Sequence, residues 1–319
     1  MHVAVASHHR LPVQGYGGTQ RVVVALIRGL AELGHRVTLL AQPGTRVREA
    51  RVVEVAARQL RDPGIDLSPF VPSDADVLHA HFPLTRGPTG LPFLQTLHGN
   101  LKVSEATPPH TVCLSRDHAL RHRVTAFVYN GLDPAEYVFR RRKESWDLFL
   151  GRLHSAKGYH WAIEAARKTG RRLLVAGGWR PSFTGGVKYV GEVDGNRKAV
   201  LLARARCLWN PVLWDEPFGL VSIEALFSGT PVLGTRRGAL PEVLTPDVAA
   251  LCDTLEQILE AQQSIGTRSP EACRAHALRH FTHLAMAERY VEVYGTLIRS
   301  GQLPPGRPTP WTPLDHTIS

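Results

Sequence analysis

Two carboxylates, Glu216 and Glu224, stand eight positions apart across the expected start of a helix. Glu216 falls in the preceding loop and Glu224 about one and a half turns inside, at 3.6 residues per turn. The backbone N–H groups of Phe218, Gly219 and Leu220, with the positive end of the helix dipole, would then form an anion site suited to a diphosphate. Glu216 could accept hydrogen bonds from sugar hydroxyls and Glu224 from ribose hydroxyls. The plainer alternative makes Glu216 a helix-start carboxylate favoured by the dipole and Glu224 an exposed helical residue. Spacing alone leaves both readings open.

Other residues carry weaker signals. His79 and His81 lie on one face of a strand end and could pair on a metal, but no third ligand at sensible spacing accompanies them, so no metal site is expected. Asp74-Ala75-Asp76 has the form of a metal-binding D-x-D but precedes a strand instead of following one. Gly17 and Gly18 permit a close backbone approach to a phosphate ahead of a helix beginning at Thr19. A tight strand-to-helix turn would use the same glycines.

The elements that would position these groups alternate along the chain. A strand at Val3–Ala6, a helix at Thr19–Leu33 with Val22, Val23, Leu26, Leu30 and Leu33 at helical spacing, and a strand at His35–Ala41 make a βαβ unit. Further strands are expected at Val77–Ala80, Phe93–Thr96, Thr111–Leu114 and Ala126–Tyr129. A polar, basic stretch from Asp133 to Trp146 reads as a linker. Then come strand Asp147–Leu150, helix Tyr159–Lys168, strand Arg172–Ala176, helix Lys198–Ala205, strand Cys207–Trp209, helix Gly219–Ser228, strand Pro231–Gly234 and a strand near Val248–Leu251. Strands alternating with helices predict parallel sheets covered on both faces. The chain therefore divides into an N-terminal half (1–137), a C-terminal half (138–282), a helix within 283–301 that packs back on the first half, and an irregular tail (302–319) with five prolines. Two such halves leave a cleft, with ligands expected outside the carboxyl ends of the strands.

Composition bounds the function. The 319 residues are 43% hydrophobic and 21% charged, which excludes wholesale disorder, collagen and coiled coil. Four scattered cysteines, Cys113, Cys207, Cys252 and Cys273, make neither a disulfide framework nor a zinc site and fit a reducing cytoplasm. No apolar run approaches a membrane span, and Met1–Ser7 reads as a first strand, not a signal peptide. The net charge of +10, carried by 32 arginines and six lysines, suits anions. Because the basic residues are scattered, nucleic acid is not an expected partner. Peripheral contact with the inner face of an anionic membrane is compatible with the same charge.

The segment from Glu216 to Leu244 (EPFGLVSIEALFSGTPVLGTRRGALPEVL) resembles the E-x7-E region of the family 4 (group 1) glycosyltransferases. Gly151–Gly158 (GRLHSAKG) resembles the family's G-R-L-x-x-x-K-G, Tyr16–Val23 (YGGTQRVV) its N-terminal glycine-rich loop, and Tyr129–Asp133 (YNGLD) its P-N-G-x-D. The four motifs occur in the family's order across most of the chain. The acidic residue before V-x-H-x-H is also routine there, which argues against a metal-binding role for Asp74-Ala75-Asp76.

The resemblance implies a GT-B fold, two Rossmann-like domains with parallel sheets facing a central cleft, the first on the acceptor side and the second on the donor side. It implies transfer of a sugar from a nucleotide diphosphate donor with retention of anomeric configuration, UDP-sugar ahead of GDP-sugar, to a sugar, lipid or small-molecule acceptor. In that frame Arg152 and Lys157 bring two cations to a loop after a strand, where they can neutralise the leaving diphosphate without a metal. Their plainer reading is two surface cations. His98, in a T-x-H-G match, would face the donor sugar or the reacting centre. Val190 and Glu192, within Lys188–Val193, fall where the resemblance places the nucleotide base. The expected catalytic residues are Glu216, His98, Arg152 and Lys157, and the expected donor-binding residues are Gly17, Gly18, Arg152, Lys157, Val190, Glu192, Glu216, Phe218, Gly219, Leu220 and Glu224. Two alternatives stand beside this: a nucleotide-sugar epimerase or phosphorylase on the same fold, and a non-catalytic anion-binding protein.

Overall fold

The computed structural model describes residues 1–13, 15, 17–180 and 185–312. Tyr16 of the glycine-rich motif and the tail beyond 312 lie outside the described residues.

Two compact units each carry a six-stranded parallel sheet. The first unit gathers Met1–Leu132 and Phe281–Pro308; the second is built on Asp133–His280. The polar stretch after Asp133 belongs to the second unit because Tyr137 stacks on Phe227 there, with ring centroids 5.4 Å apart.

In the first unit the strands are β1 (His2–Ala6), β2 (Arg36–Ala41), β3 (Arg51–Glu54), β4 (Val77–Ala80), β5 (Phe93–Thr96) and β6 (Thr111–Val112), ordered β3-β2-β1-β4-β5-β6. β1 and β4 are buried along their whole length, as strands covered on both faces must be. The helix Gly18–Glu32 buries Val22, Val23, Leu26 and Leu30 and packs against the helix His283–Ser300, which joins this unit from the far end of the sequence.

The second unit repeats the plan with β7 (Asp147–Leu150), β8 (Leu173–Ala176), β9 (Val187–Gly191), β10 (Leu208–Asn210), β11 (Val232–Thr235) and β12 (Ala249–Cys252), ordered β12-β11-β10-β7-β8-β9. Phe149, Trp209 and Leu233 centre one of its apolar clusters. Both orders are the doubly wound arrangement in which chain direction across the sheet reverses once, between β1 and β4 and between β7 and β10.

Several elements differ from the sequence reading. Ala126–Tyr129 is not a full strand; it touches the sheet through a single bridge, Cys113 to Phe127. β3 and β9 were not foreseen, because both lie at sheet edges and their half-exposed, polar residues lack the apolar signature of central strands. Among the described residues no helix is long and apolar enough to cross a membrane.

Candidate active site

In the second unit the loops that follow β7 and β10, neighbours at the reversal point, converge. The loop after β7 runs through Gly151 and Arg152 to a 3-10 turn at Ser155–Lys157, whose first residue is preceded by His154 accepting a hydrogen bond from the Ala156 N–H. Gly158 ends the turn at φ +67, and a Cβ there would lie 1.7 Å from the Pro211 carbonyl oxygen. Only glycine lets the two loops approach so closely. The Leu213 N–H donates to the Ala156 carbonyl at 2.8 Å and ties them together.

This approach delivers Lys157 to Glu216. Lys157 Nζ donates to Glu216 Oε2 at 2.6 Å, and Trp214 Nε1 donates to the same oxygen at 2.8 Å. The ammonium also sits 4.7 Å from the centroid of the Trp214 ring, a cation–π contact. Lys157 and Glu216 side chains are 21% and 12% exposed, so the pair is shielded yet reachable. No described residue bonds Glu216 Oε1. Behind the pair, Gly238 at φ +57 sits where a Cβ would be 2.4 Å from the Glu216 backbone, and the Ala239 N–H donates to the Glu216 carbonyl. The loop after β11 thus buttresses the carboxylate.

Gly219 adopts a left-handed conformation ahead of the helix Leu220–Phe227, and the Phe218 side chain is buried in the unit's core. Glu224 lies inside that helix, 3% exposed, so the exposed-residue alternative does not hold. Its Oε1 accepts from Lys198 Nζ at 2.7 Å and from the Tyr137 hydroxyl at 3.0 Å. Arg152 is exposed in the β7 loop, Val190 is half-buried in β9 with its carbonyl accepting from Arg197, and Glu192 is exposed just beyond β9.

Gly17, Gly18 and His98 belong to the first unit. Gly17 precedes the helix Gly18–Glu32, and a Cβ there would meet the Gln20 side chain at 2.6 Å. His98 follows β5 and meets His81, which follows β4, through an Nε2 to Nδ1 contact of 2.9 Å. His79 is fully buried, its two nitrogens bonded to the Tyr294 hydroxyl and to Thr96 Oγ1 at 2.7 Å each. Burial, and then the neighbouring His98, hold the His79 imidazole down to about 3. The carboxylates of Asp74 and Asp76 secure the chain start: Asp76 accepts from the His2 N–H at 2.7 Å, and Asp74 pairs with Arg36 and with the His2 ring. Among the described residues no group of three or more His, Cys, Asp or Glu is arranged to hold a metal ion.

Sequence reasoning did not single out Trp214, Gly238, Lys198, Tyr137, Tyr290 or Tyr294. Of these only Trp214, two positions before Glu216, and the i, i+4 pair Tyr290 and Tyr294 left a local signal.

Two doubly wound parallel sheets, with a lysine–glutamate pair at the reversal point of the second, define a protein of the GT-B glycosyltransferase fold. Residues 147–262 match the family described as Glycosyl transferases group 1. A glycogen synthase of Mycobacterium tuberculosis is 29% identical over 210 residues, 56% of this chain and 50% of that protein, so the chain spans about half the length of this relative. A phosphatidyl-myo-inositol mannosyltransferase of the same organism is 26% identical over 359 residues, covering 89% of this chain and 94% of the relative. AviGT4, a glycosyltransferase involved in avilamycin A biosynthesis, superposes with a TM-score of 0.78 at 29% identity, covering 94% of this chain and 98% of that one.

Proposed function

We propose that the protein transfers a sugar from a nucleotide diphosphate sugar, UDP-linked ahead of GDP-linked, to an acceptor hydroxyl, with retention of anomeric configuration and without a metal. The observation that carries the reading is the Lys157–Glu216 pair at the reversal point of the second sheet, where open parallel sheets bind their ligands. Lys157 and the exposed Arg152 supply positive charge for the leaving diphosphate, and the start of the helix Leu220–Phe227 adds its dipole. Glu216, fixed through Oε2, offers Oε1 to a sugar hydroxyl. In the transfer the bond from the anomeric carbon to the diphosphate oxygen breaks, the bond to the acceptor oxygen forms on the same face, and the acceptor proton passes to the departing oxygen. The chain's residues then orient the sugar and stabilise charge; none is needed as a covalent nucleophile. The arginine surplus supports a peripheral attachment to anionic membrane surfaces, to be read by co-sedimentation with anionic and neutral vesicles.

The test is a thermal-shift series with UDP, GDP, ADP and dTDP, with and without EDTA, followed by NMR of the product's anomeric proton. A ligand bound only by the folded state at 100 times its Kd adds about 2.7 kcal/mol. One nucleotide should stabilise the protein equally with and without chelator, and the product should keep the donor's configuration. Loss of the shift in EDTA, an inverted product, or a product formed without acceptor would overturn the reading.

A further inference from the structure

Three imidazoles stand in series at the carboxyl end of the first sheet. The rings of His79 and His81 have centroids 4.2 Å apart, and those of His81 and His98 5.1 Å apart at an interplanar angle of 28°. His81 Nδ1 and His98 Nε2 are 2.9 Å apart. A contact between two neutral imidazole nitrogens contains one proton, so one ring donates and the other accepts. Burial and the charge of neighbouring histidines hold His81 well below its ordinary pKa and His98 down to about 3, so both rings are neutral near pH 7.

His81 decides the direction. It is 2% exposed, and its Nε2 has no hydrogen-bond partner among the described residues. Were His98 the donor, His81 would have to carry its proton on Nε2, and a buried N–H would be left without an acceptor. With the proton on Nδ1 instead, only a bare ring nitrogen is buried. Orphaned buried N–H groups are the rarer of the two kinds of unsatisfied group. The other neighbours are already committed: His79 bonds two hydroxyls, and His118 donates through Nε2 to the Gly99 carbonyl while its Nδ1 accepts from the Leu114 N–H. The second of these also fixes the backbone next to His98.

We infer that His81 is a positioning residue that donates from Nδ1 to His98 Nε2, holding His98 in its Nδ1–H tautomer so that it meets a sugar hydroxyl as a hydrogen-bond donor, not as a base. The role toward a sugar rests on the transfer reading above; the tautomer does not. Tyr294 and Thr96 complete the support, since they lock the His79 ring against which the tilted His81 ring packs.

Long-range proton–nitrogen correlation spectra of the full chain labelled with 15N-histidine test this directly, with the His98 signals assigned by their loss in His98→Gln. The expected spectrum shows a protonated Nδ1 and a bare Nε2 for both His98 and His81. His81→Phe, which keeps ring bulk and removes the donor, should move His98 toward the Nε2–H form that predominates for histidine in water. His81→Asn, whose amide N–H can replace the Nδ1–H, should restore the original tautomer. A protonated Nε2 on His98 in the unaltered protein overturns the inference, and that spectrum alone decides if His81→Phe does not fold. An Nδ1–H tautomer in a protein that shows no sugar transfer would count against the proposed function and leave the His81–His98 assignment standing.

Discussion

Lys157 Nζ lies 2.6 Å from Glu216 Oε2, although the two residues are 59 positions apart in the chain. They meet because β7 and β10 are adjacent and each loop leaves its strand at the same end of a parallel sheet. The Trp214 indole joins them, its N–H on the carboxylate and its face toward the ammonium. A charge pair held this way is already placed when a ligand arrives.

Lys157→Ala and Glu216→Ala should therefore each lower kcat/KM by about a hundredfold, the usual consequence of removing one contact that stabilises developing charge, worth about 3 kcal/mol of barrier. Because the two side chains touch, the double variant should lose less than the product of the single losses. Steady-state rates with the donor identified by thermal shift provide the check. A loss under tenfold in a folded variant would remove that residue from the transfer site.

Gly158 and Gly170 allow a controlled comparison. They have nearly the same left-handed backbone, φ +67 and +69, but a Cβ at Gly158 would strike the Pro211 carbonyl while one at Gly170 meets nothing within 4 Å. Gly170→Ala should cost about 1–2 kcal/mol, the left-handed penalty alone. Gly158→Ala should cost more and also reduce turnover, since the loops carrying Lys157 and Glu216 must separate. Urea titration of both variants, with activity measured alongside, tests the difference.

Asp147 is 1% exposed and accepts from Arg206 Nε at 2.7 Å and Nη2 at 2.9 Å, from Trp209 Nε1 at 3.1 Å and from Gln262 Nε2 at 2.8 Å. Asp147→Ala leaves a largely buried guanidinium without its counter-charge and should destabilise the protein by about 3–5 kcal/mol. A change below about 1 kcal/mol in the urea midpoint analysis would mean that the network relaxes around the loss.

Acid should weaken the first unit. Burial holds His79, His98 and His118 down to about 3, and His81 well below its ordinary value. In the unfolded chain these rings titrate near 6.5, so between about pH 6.5 and 3 the unfolded state binds more protons than the native one. Stability is then full above about pH 6.5 and is lost as pH falls through that window. The Tm should decline steadily from about pH 7 to 4.5, with a shallower slope in His79→Gln, which retains hydrogen-bonding capacity but cannot titrate. A flat Tm across that interval would contradict it.

The chain's class was legible before any coordinates. Fully buried parallel strands such as His2–Ala6 and Asp147–Leu150 need near-continuous apolar residues, and alternation with amphipathic helices leaves few architectures. The ordered motifs singled out Arg152, Lys157, Glu216 and Glu224 as candidates, and the fold joins Lys157 to Glu216. Local sequence could not decide which partner each polar group takes, because that depends on strand order. Adjacency of β7 and β10 gives Glu216 its lysine and tryptophan; the fold of the second unit gives Glu224 Lys198 and Tyr137 and makes it a buried residue instead of an exposed one. The edge strands Arg51–Glu54 and Val187–Gly191 escaped for the opposite reason: half exposed, they carry little apolar signal, and it is pairing with β2 and β8 that makes them strands. The histidine series shows the same division most clearly. The sequence places His79 and His81 on one strand end, but only the tertiary fold brings His98, just after β5, and two tyrosines from a helix some 200 residues away into contact with that pair and its neighbour Thr96.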